Sequence, residues 1–190
     1  MKKQPEVTEA TRKRIVEVFC QVYLEKPLEK ITVKELSEKA GLSRVTFYNY
    51  FRDTYDLLDY IEEEFISSLA DRILENIQQG KLLENFIGTF LTVMQENELY
   101  GRVLLNNPHN LQFGERLKRK IIPLVMSSFG MPEEDVKAEY VFEFYIPGVI
   151  SMISRWLGNQ QDLSAEELGE LVKGILQDGV LKQLGREDAI

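Results

Sequence analysis

Between Ile31 and Leu58 the chain reads ITVKELSEKAGLSRVTFYNYFRDTYDLL, two helical stretches too short to stand alone, joined at a glycine. Thr32 opens the first as N-cap, and Glu35 three residues later predicts a capping box. Val33, Leu36 and Ala40 point one way along it. Gly41 follows, the residue that adopts a left-handed turn without strain. Ser43 caps the next stretch, predicted to run to about Phe51. Helices of one or two turns are marginal in water, so this segment folds only against other helices. Two short helices around a tight glycine turn are the layout of the DNA-binding helix-turn-helix.

The rest of the chain supplies helices for it to pack on. Thr8 to Lys26 forms a first helix with Ile15, Phe19, Val22 and Tyr23 on one face, ended by Pro27. A long fourth helix begins at Asp53 or Thr54 and carries Leu57, Leu58, Ile61, Phe65, Leu69 and Ile73 up to the break at Gly80. Leu82–Glu96, Tyr100–Leu105 and Phe113–Phe129 read as three more, with Asn106-Asn107-Pro108 as a turn. Pro132 is placed as first residue of an eighth helix reaching Leu157, with Pro147 inside it as a kink. Ser164 and Glu167 form a second capping box, opening a ninth helix to about Leu184. With no strand signal and no repeat, the predicted fold class is all-α. An N-terminal three-helix helix-turn-helix domain, residues 1–53, precedes a C-terminal helical bundle, residues 54–190, in about nine helices.

Charge is distributed unevenly. The net charge is −8, yet residues 1–52 carry eleven Lys or Arg against seven Glu, a net of +4, which leaves −12 on residues 53–190. A basic head on an acidic body places phosphate contacts at the N-terminal end. Cys20 is the only cysteine and reads as a small buried hydrophobe, which fits a reducing, cytoplasmic setting. His109 is the only histidine, in a loop, so one chain has no basis for a His/Cys metal site or a catalytic constellation, and no cofactor motif is present. No apolar run reaches the length of a membrane span. The run Glu62-Glu63-Glu64 reads as a solvated face.

In the third helix Phe47 and Phe51 are four apart and pack inward. That leaves Arg44, Val45, Tyr48, Asn49 and Arg52 on the outer side, where basic and aromatic side chains serve no core and suit a major groove. The stretch GLSRVTFYNYFRDTYDLL resembles the signature of the TetR family of regulators over residues of about 10–60. The resemblance implies a homodimer that binds double-stranded operator DNA, with a ligand-binding and dimerising domain over residues 61–190, and repression relieved by a small-molecule effector. It implies phosphate contacts at Thr32 and Ser43, base-edge contacts at Arg44 and Val45, and phosphate or groove-wall contacts at Thr46 and Tyr48. Tyr50 stands where the family often has His or Tyr. Where the family often has a phosphate-holding lysine this chain has Thr54, whose hydroxyl or helix N-terminus is left to do that work.

The implied pocket draws on the apolar stripes Phe86, Phe90, Met94, Phe113, Phe142 and Tyr145. The implied two-fold four-helix interface draws on Val149, Met152, Ile153, Trp156, Leu168, Leu171, Val172, Ile175 and Leu176, with Trp156 as anchor. FYIPGVISMISRWLGN, residues 144–159, also resembles a TetR subgroup that includes regulators of dihydroxyacetone kinase. That likeness implies the alternative of a coactivator or adaptor that contacts a protein instead of an operator.

Overall fold

A computed structural model describes residues 5–81, 88–90, 92–94, 96, 98–105, 111–132, 135–158 and 162–181. Among these residues every regular element is helical. The helices are α1 (Pro5–Glu25), α2 (Val33–Lys39), α3 (Arg44–Tyr48), α4 (Thr54–Gln78), α5 (Glu98–Leu105), α6 (Leu111–Ser128), α7 (Val136–Gly158) and α8 (Ala165–Ile175). A 3₁₀ turn at Leu28–Lys30 separates α1 from α2, residues 88–90, 92–94 and 96 are helical between α4 and α5, and α8 runs on into a π-helical turn, Leu176–Leu181. His109 and the predicted Asn106–Pro108 turn lie outside the described residues.

The chain divides into two compact units. One comprises residues up to Phe65 with Glu98–Leu104; the other comprises Ile66–Asn97 and the residues from Leu105 onward. In the first, Ile15, Val16, Phe19 and Val22 of α1 meet Leu36 and Ala40 of the α2 region, Phe47 and Phe51 of the α3 region, and Leu57 and Ile61 of α4, all buried. Apolar spacing of three and four put these side chains on the inner face, and each large one contributes about 1.5–3 kcal/mol on burial. Phe51 meets two rings at a tilt, 5.9 Å from Phe47 and 5.5 Å from Tyr60 between ring centroids, and Arg12 lies over the Tyr60 ring at 5.7 Å. Cys20 is fully buried, and burial, helped by Glu17, pushes its thiol up to about 12, so it stays an unreactive thiol.

The start of α2 departs from the capping-box expectation. Thr32 Oγ1 accepts from the Glu35 N–H at 3.2 Å, but the Glu35 carboxylate does not return to Thr32. It takes the Lys26 ammonium at 2.5 Å instead, with Lys39 at 3.7 Å. The Lys26 hydrogen bond holds Glu35 below the ordinary carboxylate range. A full charge is a stronger partner than a backbone N–H, and it ties the end of α1 to α2. At α8 no such cation intervenes and the reciprocal box forms, with Ser164 N–H to Glu167 at 2.8 Å and Glu167 N–H to Ser164 at 3.1 Å.

Other boundaries shift by local chemistry. Helix α3 stops at Tyr48, short of Phe51, and α7 begins at Val136 rather than Pro132, because Asp135 caps it by accepting from Ala138 N–H at 3.0 Å. Glu62 is buried, not part of a solvated face: it sits four residues after Leu58 on the inner stripe of α4, while Glu63 and Glu64 are exposed.

Gly41 has φ +64°, and a Cβ there would meet the Arg14 guanidinium at 3.2 Å. Gly41→Ala should therefore lose about 1–2 kcal/mol of stability, read as a lower midpoint in urea with unchanged slope.

Candidate nucleic-acid interface and bundle cavity

Helix α3 has five residues and is held from beneath by Phe47 and at its start by Ser43, whose Oγ accepts from Thr46 N–H at 3.0 Å. The Ser43 and Thr46 hydroxyls are 2.9 Å apart. With the helix fixed in this way, Arg44, Val45, Tyr48 and Asn49 stand on its outer face; Val45 is 71% exposed and Tyr48 57%. An apolar isopropyl and a phenol left this open serve no interior. Arg44 forms no ion pair among the described residues, so its guanidinium is available for an outside acceptor. Thr32 and Ser43 are exposed beside this face, and Thr46 and Tyr50 are partly exposed. The surface so built offers a fork of donors, an amide, hydroxyls and a methyl-bearing side chain, the repertoire that reads base edges in a major groove.

Two expected contacts are placed differently. Thr54 is only 7% exposed, which leaves its side chain little access to a phosphate. The N-terminus of α4 is occupied as well, since Asp53 Oδ1 accepts from the N–H groups of Tyr55 and Asp56 at 2.9 and 2.8 Å. A carboxylate already fills the place an incoming anion would take. Arg52 is exposed but clasped to Asp56: its backbone N–H donates to Oδ2 at 2.9 Å, and Nε and Nη2 both donate to Oδ1 at 3.1 and 2.8 Å. The two groups stabilise each other's charge. The Arg52 backbone N–H, then its guanidinium, holds Asp56 below the ordinary carboxylate range, and the hydrogen bond to Asp56 raises Arg52. Sequence reasoning missed this clasp, although opposite charges at i and i+4 across a helix start announce it.

In the second unit α4, the helical residues 88–90, α6 and α7 surround a partly open apolar cavity of about 40 Å³ lined by Leu69, Ile73, Phe90, Leu117, Ile121, Tyr145, Ile146, Val149, Ile150 and Ile153. Of the residues expected at a pocket, Phe90 and Tyr145 line it. Met94, Phe113 and Phe142 are buried without lining it, and Phe86 lies outside the described residues. Aliphatic side chains do most of the lining, and an aromatic stripe was the wrong signal for them.

The surfaces of α7 and α8 bear on the expected interface. Val149, Ile153, Trp156, Leu168, Val172 and Leu176 are already buried within one protomer, so they have little area left for a partner. Trp156 anchors its own chain, donating from Nε1 to the Leu163 carbonyl at 2.7 Å. Met152 is partly exposed, while Leu171 and Ile175 remain open. The sequence reading overlooked Val136, Tyr140 and Phe144, an i, i+4, i+8 stripe on the other face of α7, where Phe144 is 80% exposed.

Replacing Asp56 by Asn frees the Arg52 guanidinium. The variant should bind duplex DNA more tightly at low salt and steepen the log–log salt dependence by about one phosphate's worth, measured by fluorescence anisotropy. Because the Asp56 carboxyl is depressed, the clasp is complete above the unfolded-state value of about 4 and is lost only as pH falls through its lower folded value, so acidification to pH 5 does not mimic the substitution.

Comparison with known proteins agrees with this geometry. Residues 15–61 match the family described as bacterial regulatory proteins, tetR family, and residues 81–178 match a family described as transcriptional regulator C-terminal region. An HTH-type transcriptional regulator of Bacillus subtilis, YxbF, is 21% identical over 175 residues; the match covers 88% of this chain, which spans 44% of that relative's length. A tetR-family transcriptional regulator from Streptomyces coelicolor superposes with a TM-score of 0.66 at 18% identity, over 95% of this chain and 83% of that one. The fatty acid degradation regulator FadR from Bacillus halodurans superposes with a TM-score of 0.69 at 15% identity, over 94% and 98%. Among the described residues no helix is long and apolar enough to cross a membrane. A capped short helix with an open basic and aromatic face agrees with the first of these family matches, the second spans more than half of the sequence, and together they make this chain a member of the TetR family of transcriptional regulators.

Proposed function

We propose that the protein is a homodimeric repressor that grips operator DNA through α3 and is released by a small molecule entering the bundle cavity. The observation that carries the DNA half is the outer face of α3, with Arg44, Val45, Tyr48 and Asn49 free of the core that Phe47 and Phe51 supply. Thr32, Ser43, Thr46 and Tyr50 border it as candidate phosphate contacts. Thr54 and Arg52, buried and clasped respectively, are dropped from the first rank of contacts.

For the dimer, a two-fold axis brings the exposed apolar side chains of α7 and α8 against their copies, with Phe144, Leu171 and Ile175 in place of Trp156. Such a dimer sets two recognition helices about 34–36 Å apart, one duplex turn, and selects a near-palindromic site. On this reading residues 1–53 serve as the DNA-binding domain and residues 54–190 as the effector-binding and dimerising domain, acting in the cytoplasm. Helix α4 starts directly after the recognition segment and contributes Leu69 and Ile73 to the cavity lining, so an effector that displaces those residues acts on the helix that follows α3. Release requires that the effector bind one arrangement better than the other. The similarity to a fatty acid degradation regulator supports an apolar effector. The narrower subgroup with regulators of dihydroxyacetone kinase rests on residues 144–159 alone, and the protein-contacting adaptor it implies gains nothing from the open face of α3.

Anisotropy on duplexes from upstream of the gene tests the reading. Arg44→Ala should cost about 1–3 kcal/mol on the cognate site and erase preference at one base step; an equal loss on every sequence would make Arg44 a phosphate contact. A folded dimer that binds no duplex at low salt overturns the operator reading. The paired substitution Leu171→Asp with Ile175→Asp should move the protein from dimer to monomer in sedimentation while its far-ultraviolet circular dichroism is kept.

A further inference from the structure

The bundle cavity contains one hydrogen-bonding side chain and no charge. Nine of its ten lining residues are aliphatic or phenylalanine; the tenth is Tyr145 on α7. Tyr145 is 6% exposed, and its hydroxyl is buried with no hydrogen-bond partner among the described residues. Native interiors satisfy nearly all such groups, so one left over on a residue that lines a cavity calls for an explanation. Burial pushes the phenol well above its ordinary value, so it is a neutral O–H with a proton to donate. No Lys, Arg or His lines the cavity. An anionic headgroup would lose its hydration there without a countercharge, a far larger penalty than one hydrogen bond recovers.

We propose that the cavity receives an uncharged, mainly aliphatic molecule with a single hydrogen-bond acceptor, such as a ketone, aldehyde or ester, seated so that the Tyr145 hydroxyl donates to it. This rests on reading the cavity as the effector site, and it excludes a free carboxylate as the ligand. At about 40 Å³ the space holds roughly three water-sized groups, so a longer molecule enters by repacking the lining side chains. Those include Leu69 and Ile73 of α4.

Three probes of equal length separate the chemistry: 2-heptanone, heptane and heptanoate at neutral pH, each titrated into the full chain with its isoleucine methyls ¹³C-labelled. The ketone should shift the methyls of Ile73, Ile121, Ile146, Ile150 and Ile153 and bind about tenfold tighter than heptane, the contribution of one hydrogen bond. Heptanoate should leave them unmoved. In Tyr145→Phe the ketone should fall to the affinity of heptane, and the empty variant should melt a few degrees higher because the orphaned hydroxyl is gone. Heptanoate binding as tightly as the ketone, ketone binding that survives Tyr145→Phe, or methyls that no probe shifts would each overturn the proposal. The ranking in the unaltered protein stands as a test even where the variant fails to fold. DNA anisotropy with the ketone present is read separately: binding without release of DNA sinks the release mechanism and leaves the cavity chemistry intact.

Discussion

The burial of Phe47 is the contact on which the open face of α3 depends. Helix α3 has five residues, far fewer than a helix needs to persist in water, and its exposed side contributes nothing to its own stability. Phe47, packed beneath α3 and touching Phe51, anchors the whole element. Ser43 satisfies one orphan N–H at the start, and Gly41 supplies the backward turn that brings α3 into place after α2. The result is a rigid short helix whose outer side chains are free to be chosen for recognition.

Electrostatics around this helix is set by clasps as much as by net charge. The basic head of the sequence carries eleven cations, but several are engaged at home: Lys26 with Glu35, Arg12 with Glu9, Arg52 with Asp56. Such exposed pairs add little to stability. They decide instead which cations face outward unpaired. Arg44, at the start of α3, forms no ion pair among the described residues, while Arg52 after it is paired.

The second unit is packed less completely than the first. A fully packed interior would leave neither a void nor an unsatisfied hydroxyl, and Tyr145 beside the cavity has both. Local imperfections of this kind lower stability, and in proteins generally they concentrate at functional or strained sites. On the opposite face of α7, Val136, Tyr140 and Phe144 leave apolar area open at the surface. Helix α7 is therefore apolar on two sides, one toward its own bundle and one toward the outside.

Much of this was legible in the sequence, for physical reasons that also mark the limit. Caps, the glycine turn and apolar spacing are local rules, so Thr32, Gly41, Ser43, Phe47 and the outer face of α3 followed from the order of residues. Whether a capping glutamate returns to its backbone or finds a cation nine residues back, as Glu35 does with Lys26, is decided only when α1 and α2 meet. The same holds for the burial of Thr54 and Glu62, and for Trp156, whose indole N–H bonds to the Leu163 carbonyl of its own chain. Periodicity says that a helix has an apolar face but not which neighbour covers it. The sequence alone determined an all-helical chain with an open recognition helix; which apolar residues close the core, line the cavity or await a partner was decided by tertiary packing, because burial is a property of neighbours brought together from distant parts of the chain.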